Sequence, residues 1–208
     1  MAMTTSTTRI DWKKPIPIYS EIDFDNNNLS FKLSQAKREN CFDNLKCEKV
    51  EFIPHVHTTH LETKDHLSPE KVKDCLPLSL SEPLLTQVID PETEFDIKDN
   101  VQFIILKKSN PEMIGFRGIN PKVIERISLI TSIVVIGINE PSFDPENDGG
   151  KLLAHKAAFT NNIYLIEMLN LSDDKKVETN NLYYCVLNIF RFSRTDAYPC
   201  SPILYPLK

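Results

Sequence analysis

Short apolar runs alternate with helix-like segments between residues 101 and 169, and this order restricts the possible folds more than any other feature. Three runs are rich in β-branched residues and short enough for buried strands: VQFIILK at 101–107, SIVVIGI at 132–138 and IYLIEML at 163–169. Helix-like sequence separates each run from the next. The order strand, helix, strand, helix, strand predicts an α/β protein, with a parallel or mixed sheet and helices packed on it.

Capping residues mark both predicted helices. Asn120 precedes Pro121, a pair typical of an N-cap followed by the first helical position. Asp148 is the predicted cap of a second helix over 151–160, which the asparagines at 161–162 end. A last strand is predicted over 182–192.

A chain of 208 residues fits one domain, predicted here to span 1–208. Residues 1–9 are predicted to form a disordered tail, residues 13–19 an extended segment, and residues 23–28 an acidic, Asn-rich turn.

Composition excludes several functions. The net charge of −5 and the lack of a basic cluster disfavour nucleic-acid binding. No apolar run approaches the roughly 20 residues that cross a bilayer, so no membrane segment is predicted. The five cysteines are irregularly spaced, which favours reduced thiols, and no secretory signal is visible. We therefore expect a cytoplasmic protein.

Four of the five histidines lie within PHVHTTHLETKDH, namely His55, His57, His60 and His66, and Glu62 lies among them. A single histidine is more often a surface residue, but imidazoles and carboxylates clustered in this way favour a zinc or manganese site. In an extended chain His60, Glu62 and His66 would share one face, so His55 could reach them only through a bulge or loop. His57 is interpreted as a surface residue.

Two distant residues extend the predicted site. Glu167 lies inside an apolar strand, where a carboxylate is costly to bury unless it is paired or binds a cation. His155 lies on the preceding helix, and alone it could equally be a core histidine bonded to a backbone carbonyl. Together with Glu167 and the cluster, it is predicted to be a metal ligand.

These residues resemble the signature of the cyclase family, which includes kynurenine formamidase. The family motif is H-x-G-T-H-x-D-x-P-x-H, and VHTTHLETKDH lies over it with Thr59, His60 and His66 in register. The family also has a metal-binding histidine on a helix and a glutamate twelve residues later on a strand, as His155 and Glu167 are spaced here. The similarity spans residues 54–171.

Four motif positions differ. The first histidine of the motif falls on Val56, the glycine on Thr58, the aspartate on Glu62 and the proline on Lys64. If this end of the motif supplies a ligand, it is therefore His55, displaced by one position.

The resemblance implies a swivelling β/β/α fold, one or two zinc or manganese ions, and a homodimer or homotetramer. It implies that the ions are held by five ligands: His55, His60, Glu62, His155 and Glu167. His66 takes the position of the catalytic histidine, and a histidine suits a general base because the side chain ordinarily titrates near pH 6.5. The predicted function is hydrolysis of a small formamide, cyclic amide or ester.

Two other interpretations stay open. The altered positions Val56, Thr58 and Lys64 are also compatible with a protein that binds a metal or small molecule without hydrolysis. In the third interpretation, the histidine cluster is incidental on an interaction module.

Overall fold

The computed structural model describes residues 10–19, 32–36, 47–51, 53–68, 76–172, 175–192 and 195–207; for 32–36, 47–51, His57 and Leu78 it describes the backbone alone. The predicted tail at 1–9 and turn at 23–28 lie outside these residues. The described strands are β1 (Ile16–Pro17), β2 (Lys32–Ala36), β3 (Cys47–Glu51), β4 (His60–Glu62), β5 (Leu84–Ile89), β6 (Phe103–Leu106), β7 (Val135–Ile138), β8 (Tyr164–Glu167), β9 (Leu182–Val186), β10 (Ala197–Pro199) and β11 (Ile203–Pro206). The α-helices are α1 (Pro54–His57), α2 (Pro121–Ser128) and α3 (Leu153–Thr160), and 3₁₀ helices span Lys64–Leu67 and Leu78–Ser81.

Nine strands form one mixed sheet in the order β1-β11-β9-β5-β6-β7-β8-β4-β10, and β2 and β3 form a separate antiparallel pair. Strands β5 to β8 are parallel neighbours, and antiparallel strands extend the sheet on both sides. The predicted mixed α/β sheet is confirmed. Strands β10 and β11 lie near opposite ends of this order, yet only residues 200–202 separate them. The two ends must therefore be close together, which curls the sheet.

Both faces of the sheet are buried. On one face α2 and α3 pack against Ile104, Ile136 and Leu165. On the other, Phe103, Val135 and other residues meet apolar side chains from the curled ends of the sheet. Fully buried parallel strands read as continuous apolar runs, which is why these strands were visible in the sequence.

Several strands are shorter in the structure than the sequence predicts. The strands predicted at 101–107, 132–138 and 163–169 are confirmed as β6, β7 and β8, each within narrower bounds. The strand predicted at 182–192 ends at Val186, because Asn188 adopts a left-handed conformation with φ of 46°.

The capping predictions had different outcomes. The Asn120 side chain accepts a hydrogen bond from Lys122 N at 3.0 Å and caps α2 as predicted. Asp148 instead accepts from Gly150 N and Leu152 N, ahead of α3. Asp144 accepts from Ala154 N at 2.8 Å and so takes the capping role predicted for Asp148.

Two cysteines, Cys185 and Cys200, are buried thiols without a disulfide. Cys41 and Cys75 lie outside the described residues. Among the described helices, none has the length and apolar content needed to cross a membrane.

Candidate metal centre

The predicted metal-binding residues lie between the sheet and α3. Strand β4 pairs with β8 so that His60 faces Glu167 and Glu62 faces Leu165. Directly paired residues on antiparallel strands project from the same face. Leu165 packs into the core beneath α3, so the polar side chains lie on this helix-covered face.

One helical turn brings His55 to the same place. Pro54 begins α1, which ends after His57, and Thr58 Oγ1 donates to the Pro54 carbonyl at 3.1 Å. His55 Nδ1 then lies 2.7 Å from Glu62 Oε1. The prediction that His55 needs an irregular backbone to reach Glu62 agrees with this geometry, although the irregularity is a turn of helix instead of a bulge.

His66 reaches the cluster through a second helical turn. Strand β4 ends at Glu62, and the chain continues into the 3₁₀ helix Lys64–Leu67, where Thr63 Oγ1 accepts from Asp65 N at 3.3 Å. The prediction that His66 belongs to the same extended segment as His60 is therefore wrong. The His66 ring centroid still lies 4.7 Å from that of His55 and 5.5 Å from that of His155.

The buried half of the cluster pairs two carboxylates with two imidazoles. Glu62 lies 3.3 Å from His60 Nε2 and 2.9 Å from His155 Nε2. Glu167 lies 3.4 Å from each of the same two nitrogens and also accepts from Phe143 N at 2.9 Å. All four side chains are at most 4% exposed. Glu167 thus has the partners that its burial was predicted to require.

The other ring nitrogens of these two histidines are already engaged. His60 Nδ1 lies 2.8 Å from the Thr58 carbonyl oxygen, which can only accept, so Nδ1 carries the proton. His155 Nδ1 lies 2.5 Å from Asp144 Oδ2. Both Nε2 atoms are therefore directed at the carboxylates, and each offers a lone pair to a cation once its ring is neutral. Metal-binding histidines are held in this way by a carbonyl or carboxylate on the opposite nitrogen.

Asp144 is a functional candidate that the sequence interpretation missed. Its carboxylate caps α3 at Ala154 N and His155 N and also holds the His155 ring. The signal was its place in the turn-forming loop just before the helix, where a carboxylate suits the positive end of a helix dipole.

The open side of the cluster contains a second missed residue, Asp196. Its Oδ2 atom lies 3.2 Å from His55 Nε2 and 3.0 Å from His66 Nδ1. The side chains of His55, His66 and Asp196 are 27%, 25% and 32% exposed, so this side is the one that solvent reaches. No sequence signal connects Asp196 to the histidines.

The electrostatics of the cluster favour positive charge. Burial alone would lower the pKa of His60, but hydrogen bonds and charge from Glu167 and Glu62 outweigh it and raise the pKa to about 10. Burial likewise opposes protonation of His155, yet Asp144, Glu167 and Glu62 raise its pKa to about 12. Burial would raise the pKa of Glu62, but hydrogen bonds from His155, His55 and His60 hold it well below its usual range. A divalent cation could replace these protons.

Among the residues that the structure describes, two groups of donor atoms are compact enough for a metal ion. His60, Glu62 and Glu167 form the buried group, and His55, Glu62 and His66 form the more open one; within each, the ligand atoms lie within 4.8 Å of one another. Glu62 belongs to both, and His155 Nε2 faces the buried group. Imidazole with carboxylate is the donor set of zinc and manganese sites. The structure brings the six predicted residues together; their roles as ligands or catalyst stay predictions.

Because His60 and His155 hold protons up to pKa values of about 10 and 12, metal binding should release them. At pH 7 we expect about two protons per loaded site, so apparent affinity should fall as pH falls. Calorimetric titration of zinc in buffers of different protonation enthalpy measures this number. His155→Gln should lower it to about one. Release of no protons would contradict a site built on these nitrogens.

Comparisons with known proteins bear on the fold. No protein-family model matches the sequence, and comparison with curated proteins finds no match. Solved structures do match. A predicted metal-dependent hydrolase from Bacillus stearothermophilus shares 17% identity at a TM-score of 0.66, over 92% of this chain and 98% of that chain. The chain has the cyclase fold.

Two further structures support this assignment. A potential metal-dependent hydrolase with cyclase activity has a TM-score of 0.68 and 17% identity, over 92% of this chain and 97% of its own. An isatin hydrolase bound to the product analogue thioisatinate has a TM-score of 0.67 and 14% identity, over 94% of this chain and 93% of its own. The cyclase-type fold expected from the motif is confirmed.

Proposed function

We propose that this protein is a metal-dependent hydrolase that cleaves the C–N bond of a small formamide or cyclic amide, or the C–O bond of an ester. One observation carries the proposal: the Nε2 atoms of His60 and His155 face two buried carboxylates, while both Nδ1 atoms are engaged elsewhere. This arrangement is suited to binding a cation. If these side chains served packing alone, apolar residues in their place would stabilise the core at least as well. The cyclase fold supports the same class.

In the proposal, zinc or manganese is held by His55, His60, Glu62, His155 and Glu167. A cation bound there supplies Lewis acidity, which lowers the pKa of water and polarises a carbonyl oxygen. The buried carboxylates neutralise its charge, and Asp144 keeps the His155 ring oriented. The core around Leu165 and α3 excludes water from the protein side of the site.

His66 is the proposed general base and acid. It lies on the solvent side, where a substrate can enter, and its ring is close to the rings of His55 and His155. Its imidazole would take a proton from the attacking water and return it to the leaving nitrogen or oxygen.

One of the fold neighbours supports the proposed substrate class. Isatin is a cyclic amide, and the isatin hydrolase structure shares this fold. The proposal also includes a cytoplasmic location and assembly into a homodimer or homotetramer, which the resemblance to the cyclase family implies. Light scattering on purified protein tests the assembly.

The direct test measures metal content and hydrolysis together. Protein purified without chelator or affinity-tag histidines is analysed for zinc and manganese, then assayed with an aryl formamide, isatin and an aryl ester. We expect one or two ions per chain and activity that a chelator removes and added metal restores. Metal without hydrolysis of any of these compounds would favour a binding protein. A metal-free protein that stays so after adding either ion would refute the proposal.

A further inference from the structure

Asp196 is held against the start of the His66 helix by its backbone. Its carbonyl oxygen accepts a hydrogen bond from Thr63 N at 3.1 Å, and Thr63 is the N-cap of the 3₁₀ helix that carries His66. The next residue begins β10, whose pairing with β4 sets Ala197 opposite Glu62. The pairing of β10 with β4 therefore fixes the backbone of Asp196 beside the histidines, even though its side chain is partly exposed to solvent.

A single oxygen of Asp196 contacts two histidines. Oδ2 lies 3.2 Å from His55 Nε2 and 3.0 Å from His66 Nδ1. An ionised carboxylate can only accept hydrogen bonds. Each of these ring nitrogens therefore carries a proton when the contact forms.

The two contacts have opposite consequences for the two rings. Without a metal, Glu62 Oε1 accepts from His55 Nδ1 at 2.7 Å; a cation would take the place of that proton, while Asp196 keeps the proton on Nε2. His60 and His155 do the reverse and offer Nε2, because a carbonyl and Asp144 engage their Nδ1 atoms. With a proton on Nδ1, neutral His66 is left with Nε2 as its basic atom.

We propose that Asp196 is a positioning residue that sets opposite tautomers in two histidines: Nδ1 of His55 as the metal-facing atom and Nε2 of His66 as the atom that exchanges protons with substrate. Its effect on turnover rests on the proposed hydrolase function. Its effect on the tautomers does not, since the hydrogen bonds are properties of the folded chain.

The test reads the tautomers by ¹⁵N NMR of histidine-labelled protein. Spectra are recorded with zinc and without metal at about pH 8.5, above the ordinary histidine pKa of about 6.5. In the wild type we expect the His66 proton on Nδ1 and, with zinc, the His55 proton on Nε2. Asp196→Ala should move the His66 proton to Nε2, whereas Asp196→Asn should keep part of the original population, because its amide oxygen still accepts. Glu125→Gln, which removes an exposed carboxylate on α2, is the matched control.

Metal affinity and steady-state kinetics complete the experiment. Loss of a hydrogen-bond partner behind a metal ligand costs about tenfold to a hundredfold in affinity or activity. Asp196→Ala should show zinc binding weakened by about that factor, and a kcat lowered with little change in KM. A wild-type spectrum with the His66 proton on Nε2, or identical tautomers in Asp196→Ala, would overturn the assignment. Lack of hydrolysis in a wild type with the expected tautomers would refute the hydrolase proposal alone.

Discussion

Replacing Glu62 with glutamine should remove the bound metal and with it the activity. Glu62 contacts three imidazoles, His55, His60 and His155, and belongs to both groups of donor atoms, so no other carboxylate in the described cluster can replace it. We expect metal content below about a tenth of the wild-type value. Hydrolysis should fall at least about a thousandfold, because free water keeps its pKa near 15.7. Elemental analysis and a formamide assay measure both.

Stability provides the control for this substitution. Glutamine keeps the shape of Glu62 but leaves two buried imidazoles without one of their negative partners, and breaking a buried pair costs about 3–5 kcal/mol in proteins. Metal content is therefore compared at a temperature where circular dichroism shows the variant folded. Glu62→Asp, which restores the carboxylate of the family motif but shortens the side chain, should bind metal weakly. Full metal content in folded Glu62→Gln would contradict the proposed centre.

Replacing His66 with alanine should remove most of the turnover and spare the metal. The ring lies on the open side of the cluster and is not part of the buried group of ligands. General acid–base catalysis contributes about a hundredfold to ten-thousandfold, and kcat should fall by that factor. Metal content and kcat are measured on the same preparation.

This prediction is decided by comparing the metal content of His66→Ala with that of a variant that lacks a buried ligand. His60→Ala should lose the metal, whereas His66→Ala should keep it. His57→Ala is the matched histidine control, since the sequence predicts no role for that residue in the site. If His66→Ala loses metal to the same degree as His60→Ala, His66 is a ligand of the open group and another residue must act as base.

The strands were predictable because burial makes them continuously apolar, but their ends were not. Leu169 closes the apolar run after β8 and is 4% exposed, yet it lies outside the strand. Met168 before it has φ of 59°, which interrupts the regular strand conformation, although Leu169 N still donates to the Ile138 carbonyl of β7. The hydrophobicity of a residue indicates whether it is buried, whereas the ends of a strand depend on which residues pair with the neighbouring strand. The sequence encodes this pairing much less directly than it encodes burial.

The site was predictable where its residues are close in sequence or lie on recognisable elements. His55, His60 and Glu62 share one segment, and Glu167 stood out as a carboxylate in an apolar strand. Asp196 is 130 residues from His66, and the two meet only because β10 pairs with β4. The hydrophobic pattern of a sequence does not show which distant strands pair or in what register. Partners as far apart as Asp196 and His66 can therefore be identified only from the structure.

The place of β4 in the sheet has a consequence for how the protein folds. This strand carries His60 and Glu62, and both of its neighbours come much later in the chain, β8 at Tyr164–Glu167 and β10 at Ala197–Pro199. Contacts between residues so distant in sequence form slowly, because a long loop must close before any pairing energy is gained. During synthesis, a chain that has emerged from the ribosome as far as Glu167 contains every proposed ligand. It still lacks β10, the strand that pairs with the outer edge of β4. We therefore expect the capture of a cation to be among the last events of folding.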